Sequence, residues 1–194
     1  PTDEGTARAL APALEATFRE TGWSPGSVDF VAVTHGPGSF TGLRIAVTTA
    51  KVFAYATGAQ LVAVDTLRIL VEQLPADVTD ACAVMNAQRQ QVFAARYQRH
   101  AGQAWQVSLP CQVLGRDALL GILSPHTVVT GPLLARWSPP LRQSQIQAPP
   151  DCWTPRAGTV AQLGCRLALA GHRDDIFELR PQYYRRSYAE ETEG

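Results

Sequence analysis

Lysine is nearly missing from this sequence: Lys51 stands alone among 17 basic residues, and all the others are arginine. Such a bias reads as genome composition before it reads as function. Acidic residues also number 17, so the formal net charge is zero and no global field steers the chain to nucleic acid or an anionic membrane. Cysteine is scarce too. Cys82, Cys111, Cys152 and Cys165 form no Cys-x-x-Cys pair and have no regular spacing. That excludes a disulfide scaffold and fits a reducing cytosol. No apolar run approaches the ~20 residues needed to span a bilayer, and no signal peptide precedes the first helical pattern. The expectation is a cytoplasmic protein without a membrane partner.

Recognisable catalytic chemistry is equally thin. His35, His100, His126 and His172 lie far apart, with no His-x-x-x-His pair to hold a metal from one helix. No Gly-x-Ser-x-Gly elbow occurs. Asp29, Asp65, Asp77 and Asp80 fall at the ends of elements, where capping explains them. Neither a metal site nor a catalytic set is expected.

What is present is a patterned chain of 194 residues, 45% apolar, long enough to bury a substantial core. Ala7, Leu10, Ala11, Leu14 and Phe18 recur at helical spacing over 6–21, with Pro12 inside the pattern and Gly22 as its stop. Val28 to Thr34 is a β-branched apolar run with the look of a buried parallel strand. A glycine-rich turn, a helix over 41–57 closed by Gly58, and a strand over 61–64 complete a βαβ unit. A helix over 67–74 follows, capped by Asp65 or Thr66. Strands are predicted over 81–86, 91–98 and 105–109, then a helix over 116–123 and a strand over 127–131. Pro139 to Pro155 is proline-rich and carries little regular pattern, and a last helix covers 158–170. The class is α/β, with two lobes, 1–76 and 77–194.

Between the first strand and the second helix runs Gly36-Pro-Gly-Ser-Phe-Thr-Gly42. Backbone N–H groups at such a place cradle anions, so Gly36, Gly38, Ser39, Thr41 and Gly42 are candidate nucleotide-loop residues. The same residues equally describe a tight turn with Ser39 or Thr41 as helix cap. Walker spacing fails, because Leu43-Arg44 follows Gly42 where Lys-Ser/Thr is required. The dinucleotide fingerprint fails as well, since the third glycine is one residue late. Asp65 does imitate the ribose-binding acid of that fold. A nucleotide-binding, phosphotransferase-like enzyme therefore stays open as an alternative.

The helix after the loop is apolar on more than one side. Leu43, Ala46, Val47, Ala50 and Ala54 make one stripe, while Ile45, Val52 and Ala56 continue round the opposite side. A helix apolar on several faces is covered on several faces. One can meet the lobe's own sheet, and the other needs a further helix or another chain. Near the end, Arg180, Arg185 and Arg186 lie among Tyr183, Tyr184 and Tyr188, followed by Glu190 and Glu191. Such a tail can stack on bases and meet phosphates, or simply pack on its own lobe.

From Val31 to Ala54 the residues resemble the signature of the TsaB (YeaZ) family. Val64-Asp65-Thr66-Leu67, Asn86-Ala87-Gln88 with Gln91-Val92-Phe93, and Pro181 to Glu190 extend the likeness over nearly the whole chain. The resemblance implies a two-lobed actin/Hsp70-like (ribonuclease H-like) fold. It also implies a non-catalytic dimerisation subunit that supports the catalytic paralogue TsaD, which adds threonylcarbamoyl to adenosine 37 of tRNAs reading ANN codons. An ATPase subunit, TsaE, joins them. On that reading no cofactor is intrinsic, ATP or ADP belongs at the complex interface, and tRNA contact is indirect or weak. Pairing of two copies in isolation stays open, and so does the older glycoprotease-like peptidase label. Partner-facing residues are expected on the two N-terminal helices, at Leu10, Leu14, Phe18, Leu43, Val47, Ala50 and Ala54. Two departures stand out. Asn86-Ala87-Gln88 replaces the family's Asp-Ala-Arg, and Gln91 replaces an acid. The family also begins with about 35 residues of hairpin and strand ahead of this start, and two strands alone rarely make a stable sheet; the natural protein is expected to be longer.

Overall fold

The computed structural model describes residues 3–100, 102–136 and 146–185. The first part of the proline-rich segment and the end of the tail, including Arg186, Tyr188, Glu190 and Glu191, lie outside the described residues. Elements run in the order α1 (Asp3–Thr21), β1 (Phe30–Gly36), α2 (Phe40–Thr57), β2 (Gln60–Asp65), α3 (Thr66–Glu72), β3 (Asp80–Asn86), β4 (Gln91–Gln98), β5 (Gln106–Gly115), α4 (Arg116–Ile122), β6 (Val128–Thr130), β7 (Ile146–Gln147) and α5 (Ala157–Leu169). They form two compact units. The first holds residues up to Val64 together with Val160–Gln182; the second holds Asp65–Thr159 and the tail from Tyr183.

In the first unit β1 and β2 pair as a two-stranded sheet. On one face Val47, Ala50 and Ala54 of α2 close over Val33 and Leu61, with Val31 and Ala46 at the margin. On the other, Gly164 of α5 sits against Ala32, so closely that an added Cβ would collide with the Ala32 methyl. Alternation of side chains along β1 divides its residues between the two faces. Helix α2 starts on Ser39, whose Oγ accepts from the Gly42 amide (3.2 Å), and ends at Gly58 in the left-handed region (φ 76°). Helix α1 lies on α2, with the Phe18 and Phe53 rings stacked at 5.8 Å.

The second unit is built on a five-stranded sheet, order β5-β4-β3-β6-β7. β3, β4 and β5 are antiparallel neighbours, whereas β6 joins β3, and β7 joins β6, in parallel. Ala81, Ala83, Ala95 and Tyr97 face one core with Leu67, Leu70 and Val71 of α3. Cys82, Val84 and Ala94 face the other, with Leu119 of α4 and Val129. Burial on both sides is why β3 reads as a continuous apolar run instead of an alternating one. β5 runs six residues past the expected Leu109. It carries Pro110 and two register irregularities against β4, features that blunt an edge strand.

The lobe boundary expected at 76/77 is corrected by this packing. The apolar side of α3 covers β3 and β4, so the division falls after Val64, and the chain returns to the first unit at Val160. That return is fastened by backbone. Asp174 N donates to Leu61 O (2.9 Å) and Gln182 N to His35 O (2.7 Å).

Asp80, at the start of β3, organises a polar cluster under α4. Arg96 grips both carboxylate oxygens (2.9 and 2.6 Å), and Thr127 (2.9 Å) and Ser124 (3.3 Å) donate to Oδ2. Burial by itself would raise this carboxyl. The hydrogen bonds of Arg96, Thr127 and Ser124 and the Arg96 charge outweigh it and hold the group below its ordinary value of 3.8. A depressed native value means stability is present above pH 3.8 and lost as pH falls through the native value. Asp80→Asn should therefore lose roughly 2–3 kcal/mol at neutral pH, because Arg96 keeps its half-buried charge without a counterion. Urea titrations across pH would check this: the gap between variant and parent should close below pH 3.8, and a pH-independent gap would refute it.

Candidate functional site

Two places in the first unit compete for function, the glycine loop and the outer face of α2. The loop is a closed turn, largely filled by its own chain. Gly36 takes φ 141°, where a Cβ would stand 2.5 Å from Gln182 O, so glycine is required by the returning tail. A Cβ added at Gly38 would stand 3.5 Å from the Leu43 side chain, an ordinary van der Waals contact. Two of the first amides of α2 are satisfied internally: Gly42 N by Ser39 Oγ and Leu43 N by Ser39 O (2.8 Å). Ser39, not Thr41, is the cap, and Thr41 lies exposed in the first turn of the helix. Arg44 places its guanidinium 3.9 Å from the Phe40 ring centre. Asp65 also has a structural task. Its Oδ1 accepts from Arg68 N (2.8 Å), capping α3, and from the Tyr97 hydroxyl (3.2 Å).

Of the seven residues expected to face a partner, four are elsewhere. Leu43, Val47, Ala50 and Ala54 are buried within the first unit, Val47 and Ala54 at 2% exposure. Their stripe is the one that covers the two-stranded sheet. Leu10, Leu14 and Phe18 of α1 do lie at the surface, Leu14 exposed and the other two half-buried.

The outward ridge of α2 is Arg44, Thr48, Val52 and Tyr55, at spacings of four, four and three. Val52 is 61% exposed and Tyr55 71%, unusual for large apolar side chains on adjacent turns. Phe177, also 71% exposed, meets Tyr55 edge-on at 6.2 Å. Its position is fixed from beneath. Lys51 Nζ donates to Phe177 O (3.3 Å) and Leu179 O (3.0 Å), and Asp175 Oδ1 accepts from Phe177 N (2.6 Å) and Glu178 N (3.2 Å). Val52, Tyr55 and Phe177 are thus an exposed apolar group on a rigid support. Val52 was legible in the sequence as part of the second stripe. Phe177 was not, because only the folded return of 172–182 brings it to α2.

Cys82 and Cys111 offer no nucleophile at neutral pH. Burial pushes Cys82 and Cys111 up to about 12, Cys111 with a further rise from Asp65. Tyr97 is raised, first by burial and then by Asp65. Among the described residues no group of three His, Cys, Asp or Glu is placed to hold a metal, and no helix is long and apolar enough to cross a membrane.

Paired βαβ and mixed-sheet units of this kind define a class of two-unit α/β proteins. YeaZ from Pseudomonas aeruginosa superposes with a TM-score of 0.75 at 22% identity, covering 91% of this chain and 84% of that one. The fold is therefore that of YeaZ. The family model described as "TsaD: tRNA N6-adenosine threonylcarbamoyltransferase" matches residues 3–126. The "tRNA threonylcarbamoyladenosine biosynthesis protein TsaB" of Bacillus subtilis is 31% identical over 96 residues, half of this chain but only 42% of that protein's length. Its namesake from Escherichia coli K12 is 24% identical over 192 residues, covering 96% of this chain and 83% of the relative. The chain belongs to the family that this model describes, on its TsaB (YeaZ) branch.

Proposed function

We propose that this chain is the accessory, non-catalytic subunit of a complex that adds threonylcarbamoyl to N6 of adenosine 37 in tRNAs reading ANN codons. In that role it binds and supports the catalytic paralogue TsaD, with the ATPase TsaE as third member and ATP or ADP held at the complex interface. The observation that carries the reading is the exposed apolar group made by Val52 and Tyr55 of α2 with Phe177 of the returning segment. Buried aromatic anchors dominate the energetics of protein interfaces, and a rigid anchor loses little entropy on docking.

This moves the docking surface by about half a turn of helix from the stripe that the sequence suggested. The inner stripe is committed to the fold, and the outer ridge is available. Val52→Asp and Tyr55→Asp should each leave the melting temperature of the isolated chain within a few degrees, since exposed substitutions cost about 0.5 kcal/mol or less. Both should weaken capture of TsaD at least tenfold, the loss expected for about 1.4 kcal/mol of anchor energy. Quantitative co-purification of the two subunits reads this out. Full capture by the Val52→Asp, Tyr55→Asp double variant would move the interface off this ridge. Calorimetry with ATP on the isolated chain tests the alternative, a nucleotide-binding enzyme at Gly36–Gly42; tight binding with turnover would revive it.

A further inference from the structure

The hairpin between β3 and β4 turns through three consecutive residues with positive φ, none of them glycine: Gln88 (63°), Arg89 (48°) and Gln90 (60°). L-residues avoid this region because Cβ crowds the following carbonyl, and a run of three is rare even in turns. The turn is held by bonds on every side. Asn86 Oδ1 accepts from Gln88 N (2.8 Å), Gln88 O from Gln91 N (2.8 Å), and Gln91 O from Ala87 N (3.0 Å). From the tail, Arg185 Nη1 donates to Ala87 O (2.8 Å), and the Tyr184 ring packs on Phe93 at 6.2 Å. Ala87 is buried, while Gln88, Arg89 and Gln90 are all exposed. The second unit thus holds a costly conformation whose tip carries three exposed polar side chains. Strain of this sort is retained where it serves a site.

The chemistry of these three residues is specific. Two carboxamides and a guanidinium are planar groups that pair bidentately with base edges and phosphates. Tyr183, 42% exposed, adds a ring at the same tail anchor. No Asp or Glu occurs from Ala81 to His100 or from Leu179 to Arg185, so these segments are cationic within a chain of zero net charge. An aliphatic protein partner would find little to bury here. Splayed bases find planes to stack on and edges to pair with, which duplex RNA, read through its shape, does not offer.

We propose that the Gln88–Gln90 turn, with Tyr183 and Arg185 of the tail, is a contact site for an unpaired stretch of RNA, and that this subunit touches the tRNA loop directly. The inference rests on the reading that the chain serves a tRNA-modifying complex, but it uses a different unit and different residues from the docking ridge.

The test is fluorescence anisotropy of the full chain with a labelled anticodon stem-loop of an ANN-reading tRNA, and with a blunt RNA duplex as control. The stem-loop should bind more tightly than the duplex. A Gln88→Ala, Arg89→Ala, Gln90→Ala triple variant should weaken it about tenfold or more, and Tyr183→Ala by a comparable factor. Arg89→Ala alone should lower the slope of log affinity against log salt by about 1. Gln90→Gly should separate fold from function: it relieves the turn and raises the melting temperature, yet weakens RNA binding. No binding by the parent chain, equal binding of duplex, or full affinity in the triple variant would overturn the site. Absent RNA binding by a parent chain that still captures TsaD condemns this site alone, whereas full capture by ridge variants in a chain that binds RNA bears only on the docking reading.

Discussion

Gly131→Ala is expected to unfold the second unit more readily than any other single methyl group added to this chain. Gly131 continues β6 past Thr130, which pairs with Ala83, and so it lies beside Val84 in the middle of the sheet. Its φ is 134°, and an added Cβ would fall far inside contact with Val84 O, and at 3.0 and 3.1 Å from Val84 C and N. Backbone, unlike a flexible side-chain end, cannot step aside. Either β6 separates from β3, losing ladder bonds in a region where Val84 and Val129 are fully buried, or Gly131 abandons its conformation. The strained dihedral costs about 1–3 kcal/mol and the overpacking about as much again, so a loss of roughly 2–6 kcal/mol is expected. Urea denaturation followed by tryptophan fluorescence measures it, since Trp105 and Trp153 pack in this unit. Gly121→Ala is the control. It sits in α4 with nothing within 4 Å of the added methyl, and alanine there should gain up to about 1 kcal/mol of helix propensity. Equal midpoints for the two variants would refute the account.

A comparable collapse is expected in the first unit from Val47→Asp. Val47 is 2% exposed and belongs to the buried apolar cluster of Val33, Ala50, Ala54 and Leu61. A carboxylate placed there must be desolvated without a partner or protonated, at a cost of several kcal/mol either way. A sheet of two strands has little reserve to absorb this. The variant should lose cooperative melting of the first unit, seen by hydrogen exchange at 30–64, while the second unit keeps its protection. Val47→Asp would therefore abolish partner capture for a reason unrelated to docking, which is why the capture experiment uses Val52 and Tyr55 on the opposite side of the same helix. Native-like exchange in Val47→Asp would show that the inner stripe is not the core it looks to be.

Much of the fold was readable beforehand because periodicity records burial. β4 was placed to the residue, and α2, α5 and their glycine stops to within one. Less legible was which of two apolar stripes on α2 belongs to the protein itself. The stripes contain similar residues, and periodicity reports that a face is covered without saying by what. The lobe boundary failed for a related reason: α3 looks like the next element of a βαβ series, and only its packing on Ala81 and Ala83 assigns it to the second sheet. Phe177 was invisible because its importance depends on a contact with Tyr55 more than 100 residues earlier in the chain. The Gln88–Gln90 turn was hidden more completely. Left-handed turns announce themselves through Gly, Asn or Asp, and Gln-Arg-Gln carries no such mark.

The solitary lysine has a practical bearing on how such an assembly can be mapped. Lys51 is the only ε-amine in the chain, and its nitrogen is engaged by two carbonyl oxygens beneath Phe177. Amine-directed cross-linkers, the common tools for tracing subunit contacts by mass spectrometry, find one side-chain target here, already occupied and half-buried. In the proposed complex, a sparse cross-link pattern from this chain would reflect its chemistry and not its distance from other members. Carboxylate- or arginine-directed reagents are the ones that can report where it sits.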